Sequence, residues 1–149
     1  MKELIIVSSK ESAEIHRETC HQSEDNYHLA QGDILGSVED IPQDLERLHI
    51  VATWPEIISL AAWKAEPKMG DLFLLLKNAG VRAEDLVPFT DGDTGDLFPW
   101  LYYGKRFDVL RKICRIAKHN AEGHVRNKDV RVYCHLVLED VHRIVASSL

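Results

Sequence analysis

The stretches that decide the fold are LIIVSSKE (residues 4–11) and LHIVATWPE (residues 48–56). Each begins with an apolar, β-branched run, which is typical of a buried strand. Each continues with Ser or Thr and places Glu three residues later, which is the capping-box pattern of a helix amino terminus. A strand followed at once by a helix, twice near the start of the chain, predicts a parallel sheet with crossover helices.

The rest of the chain is predicted to be mostly helical. Apolar spacing indicates a helix over residues 106–121. Residues 129–138 are ambiguous, because their alternation of apolar and polar side chains is also typical of a strand. A polar set spaced by three or four continues beyond that segment and favours a helix: Lys128, Arg131, His135, Glu139 and His142. The sequence therefore predicts an α/β fold, with a small, mostly parallel sheet in the N-terminal half and a helix-rich C-terminal half packed on it.

Length and composition are those of one globular domain spanning residues 1–149. The chain has 45% apolar and 28% charged residues, which is enough apolar material for an ordinary core. The widely spaced Cys20, Cys114 and Cys134 indicate reduced thiols rather than a disulfide framework. The sequence has neither a signal-peptide pattern nor an apolar run of about 20 residues. We therefore expect a soluble, cytoplasmic protein with no membrane partner.

Half of the basic residues lie in one segment. Residues 105–131 hold nine of the 18 Lys and Arg but only three Asp and Glu, in a chain of net charge −6. This segment and the aromatic residues before it form a candidate binding surface: Trp100, Tyr102, Tyr103, Lys105, Arg106, Arg111, Lys112, Arg115 and Lys118. Cations neutralise phosphates and aromatic rings stack on bases. The leading hypothesis is a non-catalytic binding or regulatory module that holds an anionic partner, either nucleic acid or an acidic protein surface. A solvated helix face is the alternative.

The ends of the two predicted strands suggest a second hypothesis. Ser8, Ser9 and Lys10 follow the first strand, and Thr53 follows the second. The carboxyl ends of parallel strands are where open α/β sheets bind ligands, and free N–H groups at a helix start can hold phosphate. The alternative function is therefore a small enzyme that acts on a nucleotide or another phosphate-containing ligand. No glycine-rich loop accompanies these residues, and helix capping also explains Ser8 and Thr53.

Histidines raise the question of a metal centre. On the predicted helices His16 shares a face with Cys20, and His135 shares one with Glu139 and His142. Imidazole, thiolate and carboxylate groups at such spacing can bind a transition metal. An exposed polar stripe explains the same residues, so no metal site is predicted. The sequence identifies no catalytic residue and no cofactor.

Acidic side chains suggest a third hypothesis. The Asp-rich segment 91–96 departs from the EF-hand pattern and is predicted to be a simple turn. An acidic surface around residues 39–46 could block a basic enzyme by electrostatic complementarity. An acidic inhibitor or immunity protein is therefore a further alternative.

Overall fold

The computed structural model describes residues 2–20 and 24–148. Within these ranges one sheet has five strands: β1 (Glu3–Val7), β2 (Tyr27–Leu29), β3 (Arg47–Ala52), β4 (Arg131–Leu138) and β5 (Arg143–Ser147). The helices of the same ranges are α1 (Lys10–Cys20), α2 (Ile34–Glu39), α3 (Trp54–Ala62), α4 (Met69–Asn78), α5 (Ala83–Leu86), α6 (Leu97–Tyr103) and α7 (Phe107–His124). None of these helices combines the length and apolarity needed to cross a membrane.

The sheet is mostly parallel. Its strand order is β2-β1-β3-β4-β5. The pairs β1–β2, β1–β3 and β3–β4 are parallel, and β5 is antiparallel to β4. This architecture confirms the predicted α/β fold, and α7 confirms the long helix predicted over residues 106–121.

The helix predicted over residues 129–138 is instead strand β4 and the turn before it. β4 lies between β3 and β5, so both of its edges are hydrogen-bonded to a neighbouring strand. Val132 and Cys134 lie in the larger core, whereas Val137 lies in a smaller cluster on the opposite face. Pairing with two neighbouring strands therefore outweighs the helical spacing of the polar residues. The C-terminal half contributes two strands to the sheet.

The two faces of the sheet are covered unequally. One face packs against a large apolar core to which the helices α2 to α7 contribute. On the other face, beneath α1, the described residues form a cluster with five buried apolar members: Ile5, Val7, Ile15, Val51 and Val137. Because this cluster is small, polar side chains share the space between α1 and the sheet.

The helices α1 and α3 begin where the sequence predicts, but their caps differ from the prediction. Ser9, rather than Ser8, accepts the backbone N–H of Ser12, with Oγ and N 3.1 Å apart. Thr53 is the residue before α3, and its side chain makes no capping hydrogen bond. Ser8 and Glu56, which the sequence assigns to capping boxes, make other contacts at the end of the sheet.

Candidate functional site

The carboxyl ends of β1 and β3 form a crevice at the switch point of the sheet. The chain passes from β1 to β2 on one side and then crosses to β3 on the other side of β1. In open α/β sheets, ligands bind in the crevice that this reversal creates. Ser8 and Ser9 follow β1, and Thr53 follows β3. Three of the four residues proposed for phosphate binding therefore meet here, and the fourth, Lys10, is exposed at the start of α1.

Ser8 connects the two strand ends. Its backbone N–H donates to the Val51 carbonyl oxygen at 3.1 Å, and its Oγ accepts the backbone N–H of Thr53 at 3.2 Å. The same hydroxyl lies close enough to the carboxyl group of Glu56, in the first turn of α3, to lower its pKa. Ser8 thereby links the two strand ends beside Glu56.

Glu56 lies beside this crevice, and its surroundings change the pKa of its carboxyl group. Its side chain is partly buried, and Oε2 has no hydrogen-bond partner among the described residues. Burial raises the pKa of Glu56; the Ser8 hydroxyl opposes the rise, and the nearby Glu139 adds to it. A carboxyl group that keeps its proton above the ordinary range can act as a general acid.

Glu139 supplies a second carboxyl group. It begins the 3-10 turn that follows β4, and its Oε1 accepts a hydrogen bond from Ser9 Oγ at 2.8 Å. The sequence places Glu139 on a polar helical stripe with His135 and His142. The structure separates these three residues, because β4 ends before Glu139 and His142 follows it in a left-handed turn with φ 51°.

Two cavities adjoin the start of α3. The larger, about 340 Å³, is lined by Glu56 and by residues of the β2–α2 loop and the α3–α4 loop, among them Asp33 and Glu66. The smaller, about 200 Å³, is lined by Trp54, Phe98 and Glu139 with neighbouring residues. Neither lining includes Lys or Arg. A small ligand at this edge of the sheet would therefore meet carboxyl groups and apolar walls.

The predicted aromatic-basic surface is only partly available to a partner. Trp100 packs on Phe89 and Tyr102 stacks on Phe98, with ring centroids 5.1 and 5.7 Å apart, while Tyr103 is 77% exposed. Two of the basic residues contact other described residues: Arg106 pairs with Asp108 at 3.2 Å, and Lys118 lies 5.7 Å from the Tyr133 ring centre. The exposed cations of the set are Lys105, Arg111, Lys112 and Arg115.

Three histidines converge beneath α1, away from the crevice. His16 lies on α1, His49 on β3 and His135 on β4. One nitrogen of each ring lies within 4.8 Å of the corresponding nitrogens of the other two. His49 Nδ1 and His135 Nε2 are 3.1 Å apart, and the two rings are stacked. Sequence spacing pairs His16 with Cys20, and the structure gives it these two strand residues as neighbours.

The other nitrogen of each ring is held by a polar group. Tyr27 Oη is 2.7 Å from His16 Nδ1. His49 Nε2 lies 3.0 Å from Oε1 of Glu3. His135 Nδ1 is 2.8 Å from the hydroxyl of Ser147, on the neighbouring strand. Each imidazole therefore presents one nitrogen to the shared centre and anchors the opposite nitrogen to the sheet or its edge: the anchors are Tyr27, Glu3 and Ser147.

The surroundings keep these rings neutral. Burial, followed by the nearby His49, lowers the pKa of His16 to about 4. Burial, with His49 and His16 adding to it, lowers the pKa of His135 to about 3. Burial also lowers the pKa of His49, against the opposing effect of the Glu3 carboxyl group. Desolvation disfavours the charged form of each ring, and neighbouring imidazoles would repel one another if protonated.

No family model, no curated protein and no solved structure matches this chain. Function is therefore inferred from the residues themselves. Neither Glu56 nor His49 is indicated as a functional residue by the sequence, because a capping box explains Glu56 locally and His49 lies inside an apolar strand. In both cases a signal is present: a polar residue in a segment whose neighbours are buried needs a partner, and that partner is distant in the sequence.

Proposed function

We propose that the chain is a small enzyme that binds a polar ligand, either neutral or cationic, in the larger cavity at the start of α3, beside the switch-point crevice, with Glu56 as general acid. The observation that carries this proposal is a partly buried carboxyl group with an unpartnered oxygen, on the wall of a cavity at the carboxyl end of a parallel sheet. Perturbed carboxyl groups in clefts of this kind mark catalytic sites more often than surface ones do.

The residues that line the larger cavity indicate which class of ligand it can bind. Its volume, about 340 Å³, falls at the lower end of the range of small-molecule sites and suits a molecule of about nucleoside size. Asp33, Glu56 and Glu66 line it without a compensating Lys or Arg. A phosphate group would be repelled by ionised carboxylates at close range. This charge pattern favours neutral or cationic ligands over the phosphate-containing ligand that Ser8 and Ser9 suggest in isolation.

The proposed chemistry is hydrolysis of a bond whose leaving group needs a proton. Glu56 would protonate the leaving group, water would add to the other side of the broken bond, and the proton that this water loses would return to Glu56. Ser8, bonded to Thr53 and Val51, lies beside the carboxyl group of Glu56. Because the pKa of Glu56 is raised, the acid form persists to a higher pH than for an exposed glutamic acid. Activity that depends on this form falls as pH rises through that pKa.

A thermal-shift panel tests the ligand class. Neutral nucleosides, free sugars and a polyamine are compared with the corresponding nucleotides and inorganic phosphate. A ligand that binds only the folded chain raises its Tm, and compounds that do so are then incubated with the protein and followed by mass spectrometry. We expect stabilisation by a neutral or cationic compound and its conversion to product.

Matched variants test the role of Glu56. Glu56→Gln keeps the shape of the side chain but has no acidic proton, so we expect retained binding and lost turnover. Glu39→Gln, an exposed change on α2 outside this cavity, should leave both unchanged. Stabilisation by phosphate-containing compounds alone, or loss of turnover in Glu39→Gln but not in Glu56→Gln, would contradict the proposal.

A second candidate function is binding of an anionic partner by α7. The observation that favours it is the exposed row of Arg111, Lys112 and Arg115 on one face of this helix. None of the ion pairs among the described residues involves these three side chains. Exposed cations without an ion pair to the described residues are available to neutralise nucleic-acid phosphates or carboxylates of another protein.

Fluorescence anisotropy with labelled single- and double-stranded DNA and RNA tests this candidate at low and at physiological salt. Phosphate contacts predict binding that weakens steeply as salt is raised. Replacing Arg111, Lys112 and Arg115 together with Glu should abolish it, whereas Lys77→Glu, an exposed change on α4, should not. Equal binding by both variants would refute a role for this face.

A further inference from the structure

We propose that His16, His49 and His135 form a binding site for one divalent transition-metal ion such as Zn²⁺. This site is separate from the switch-point crevice and does not depend on the function proposed for it. The ligand atoms are Nε2 of His16, Nδ1 of His49 and Nε2 of His135. They come from one helix and two adjacent strands, so the fold itself fixes their spacing.

The unpartnered nitrogen of His16 indicates that the cluster can bind a ligand. His16 is 1% exposed, and its Nε2 has no hydrogen-bond partner among the described residues. A buried polar atom without a partner is costly, so a network of three histidines alone leaves this cost uncompensated. A metal ion at the shared centre would satisfy this atom together with the facing nitrogens of His49 and His135.

The distances suit coordination after a small adjustment. Two nitrogens bound to Zn²⁺ at about 2.0–2.1 Å in a tetrahedral site lie about 3.3 Å apart. The 3.1 Å between His49 Nδ1 and His135 Nε2 is close to that separation. All three ligand atoms lie within 4.8 Å, so the widest gap has to close by on the order of 1 Å through ring rotation. Three ligands leave a fourth tetrahedral position for water or another small ligand.

The groups behind the rings are those that orient metal-binding histidines. Metal-bound imidazoles almost always donate their other N–H to a carboxylate, hydroxyl, carbonyl or water, which fixes the tautomer. Here Glu3 accepts from His49 Nε2 at 3.0 Å, a carboxylate–histidine pair of this kind. The hydroxyls of Tyr27 and Ser147 can each accept a proton from the imidazole they face. Each ring can therefore adopt the tautomer that aims a lone pair at the centre.

Three neutral imidazoles determine the class of metal. Nitrogen ligands of intermediate softness suit Zn²⁺, Co²⁺, Ni²⁺ and Cu²⁺, whereas Mg²⁺ and Ca²⁺ need oxygen ligands. No carboxylate is a member of the cluster, since Glu3 contacts the far nitrogen of His49. The site should therefore discriminate strongly against the alkaline-earth ions.

Metal titration of the full chain tests the proposal. The protein, freed of any affinity tag, is stripped with a chelator, dialysed, and titrated with Zn²⁺ or Mg²⁺ in a calorimeter and with Co²⁺ in a spectrophotometer. We expect one equivalent of Zn²⁺ to bind and to raise the Tm by several degrees, an intense visible Co²⁺ band of tetrahedral character, and no response to Mg²⁺. Absence of stoichiometric Zn²⁺ binding would overturn the proposal.

Variants separate this site from adventitious surface binding. Glu3 orients His49, so Glu3→Gln should lower Zn²⁺ affinity by roughly 10- to 100-fold. His16→Gln removes a ligand itself and should lower the affinity by more than that. His142 is an exposed histidine next to Glu11 and Glu18. His142→Gln is therefore the matched control and should bind Zn²⁺ with the affinity of the wild type. Equal affinity in His16→Gln and wild type would refute the site.

A spectroscopic measurement keeps the proposal falsifiable if a histidine variant fails to fold. X-ray absorption of the wild-type Zn²⁺ complex reports the number of imidazole ligands without any substitution. We expect three imidazole nitrogens and one further oxygen or nitrogen ligand. A spectrum with fewer than two imidazoles, or with all-oxygen coordination, would place the bound ion elsewhere and overturn the assignment.

Discussion

Acidification should destabilise the chelator-treated protein through its buried histidines before its carboxylates titrate. His16 illustrates the magnitude. Its pKa is lowered from 6.5 to about 4, chiefly by burial. At pH 5 the ring is therefore almost fully protonated in the unfolded chain and almost fully neutral in the folded one. The unfolded state binds more protons over this interval, so the free energy of unfolding falls as pH falls.

The size of the effect follows from proton linkage. One pKa unit corresponds to about 1.4 kcal/mol. Because pH 5 lies about 1.5 units below the unfolded-state pKa of 6.5, about 1.5 units of the pKa difference between the two states contribute at that pH. His16 alone should therefore cost about 2 kcal/mol of unfolding free energy between pH 7 and pH 5. The loss begins near pH 6.5 and is complete below a pH of about 4, where both states are protonated. His135, with its pKa lowered to about 3, should behave in the same direction.

Urea unfolding at pH 7, 6 and 5 in the presence of chelator measures this slope. The quantity to compare is the change with pH, because His16→Gln will also alter the stability at pH 7. We expect the fall between pH 7 and 5 to be smaller in His16→Gln by about 2 kcal/mol. Parallel pH dependence in wild type and variant would show that His16 is accessible to protons in the folded state, and the burial argument would fail.

Two further predictions concern contacts outside the site. Asn120 donates to the carbonyl oxygens of Leu60 (3.0 Å) and Ala61 (2.6 Å) at the end of α3, so Asn120→Ala should lower the unfolding free energy by about 1–3 kcal/mol in urea titration. The hydrogen bond with Glu11, and then the one with Glu18, raise the pKa of His142. Protonated His142 therefore stabilises the folded chain below pH 6.5, and this stabilisation is lost as pH rises through the raised pKa. The NMR titration midpoint of His142 should fall towards 6.5 in a variant with both glutamates replaced by Gln.

The parts of the fold that follow from local sequence were predictable. β1 and β3 are apolar runs bounded by helix starts, and their pattern depends on few distant contacts. The long helix α7 shows its buried stripe directly in the sequence. The caps were less predictable, because Ser8 and Ser9 are both able to cap α1 and the choice depends on the contact of Ser8 with Thr53.

The crevice was predictable in position but not in chemistry. Strand ends locate it, which is why Ser8, Ser9 and Thr53 were identified. Glu56 gains its raised pKa only from burial and from the approach of Glu139, which follows a strand some 80 residues later in the chain. A local pattern that already explains a residue conceals a second role of this kind.

The histidine cluster shows how one wrong element changes the predicted chemistry. On a helix, His135 has Glu139 as its neighbour four residues later, and the pair suggests a polar surface stripe. On a strand, its neighbours lie across the sheet, so β4 places His135 next to His49 and opposite α1. The residues that meet are 86 positions apart, and no spacing rule within one element connects them. Assigning residues 129–138 to a helix therefore removes the metal site from the prediction, whereas assigning them to a strand beside β3 is enough to suggest it.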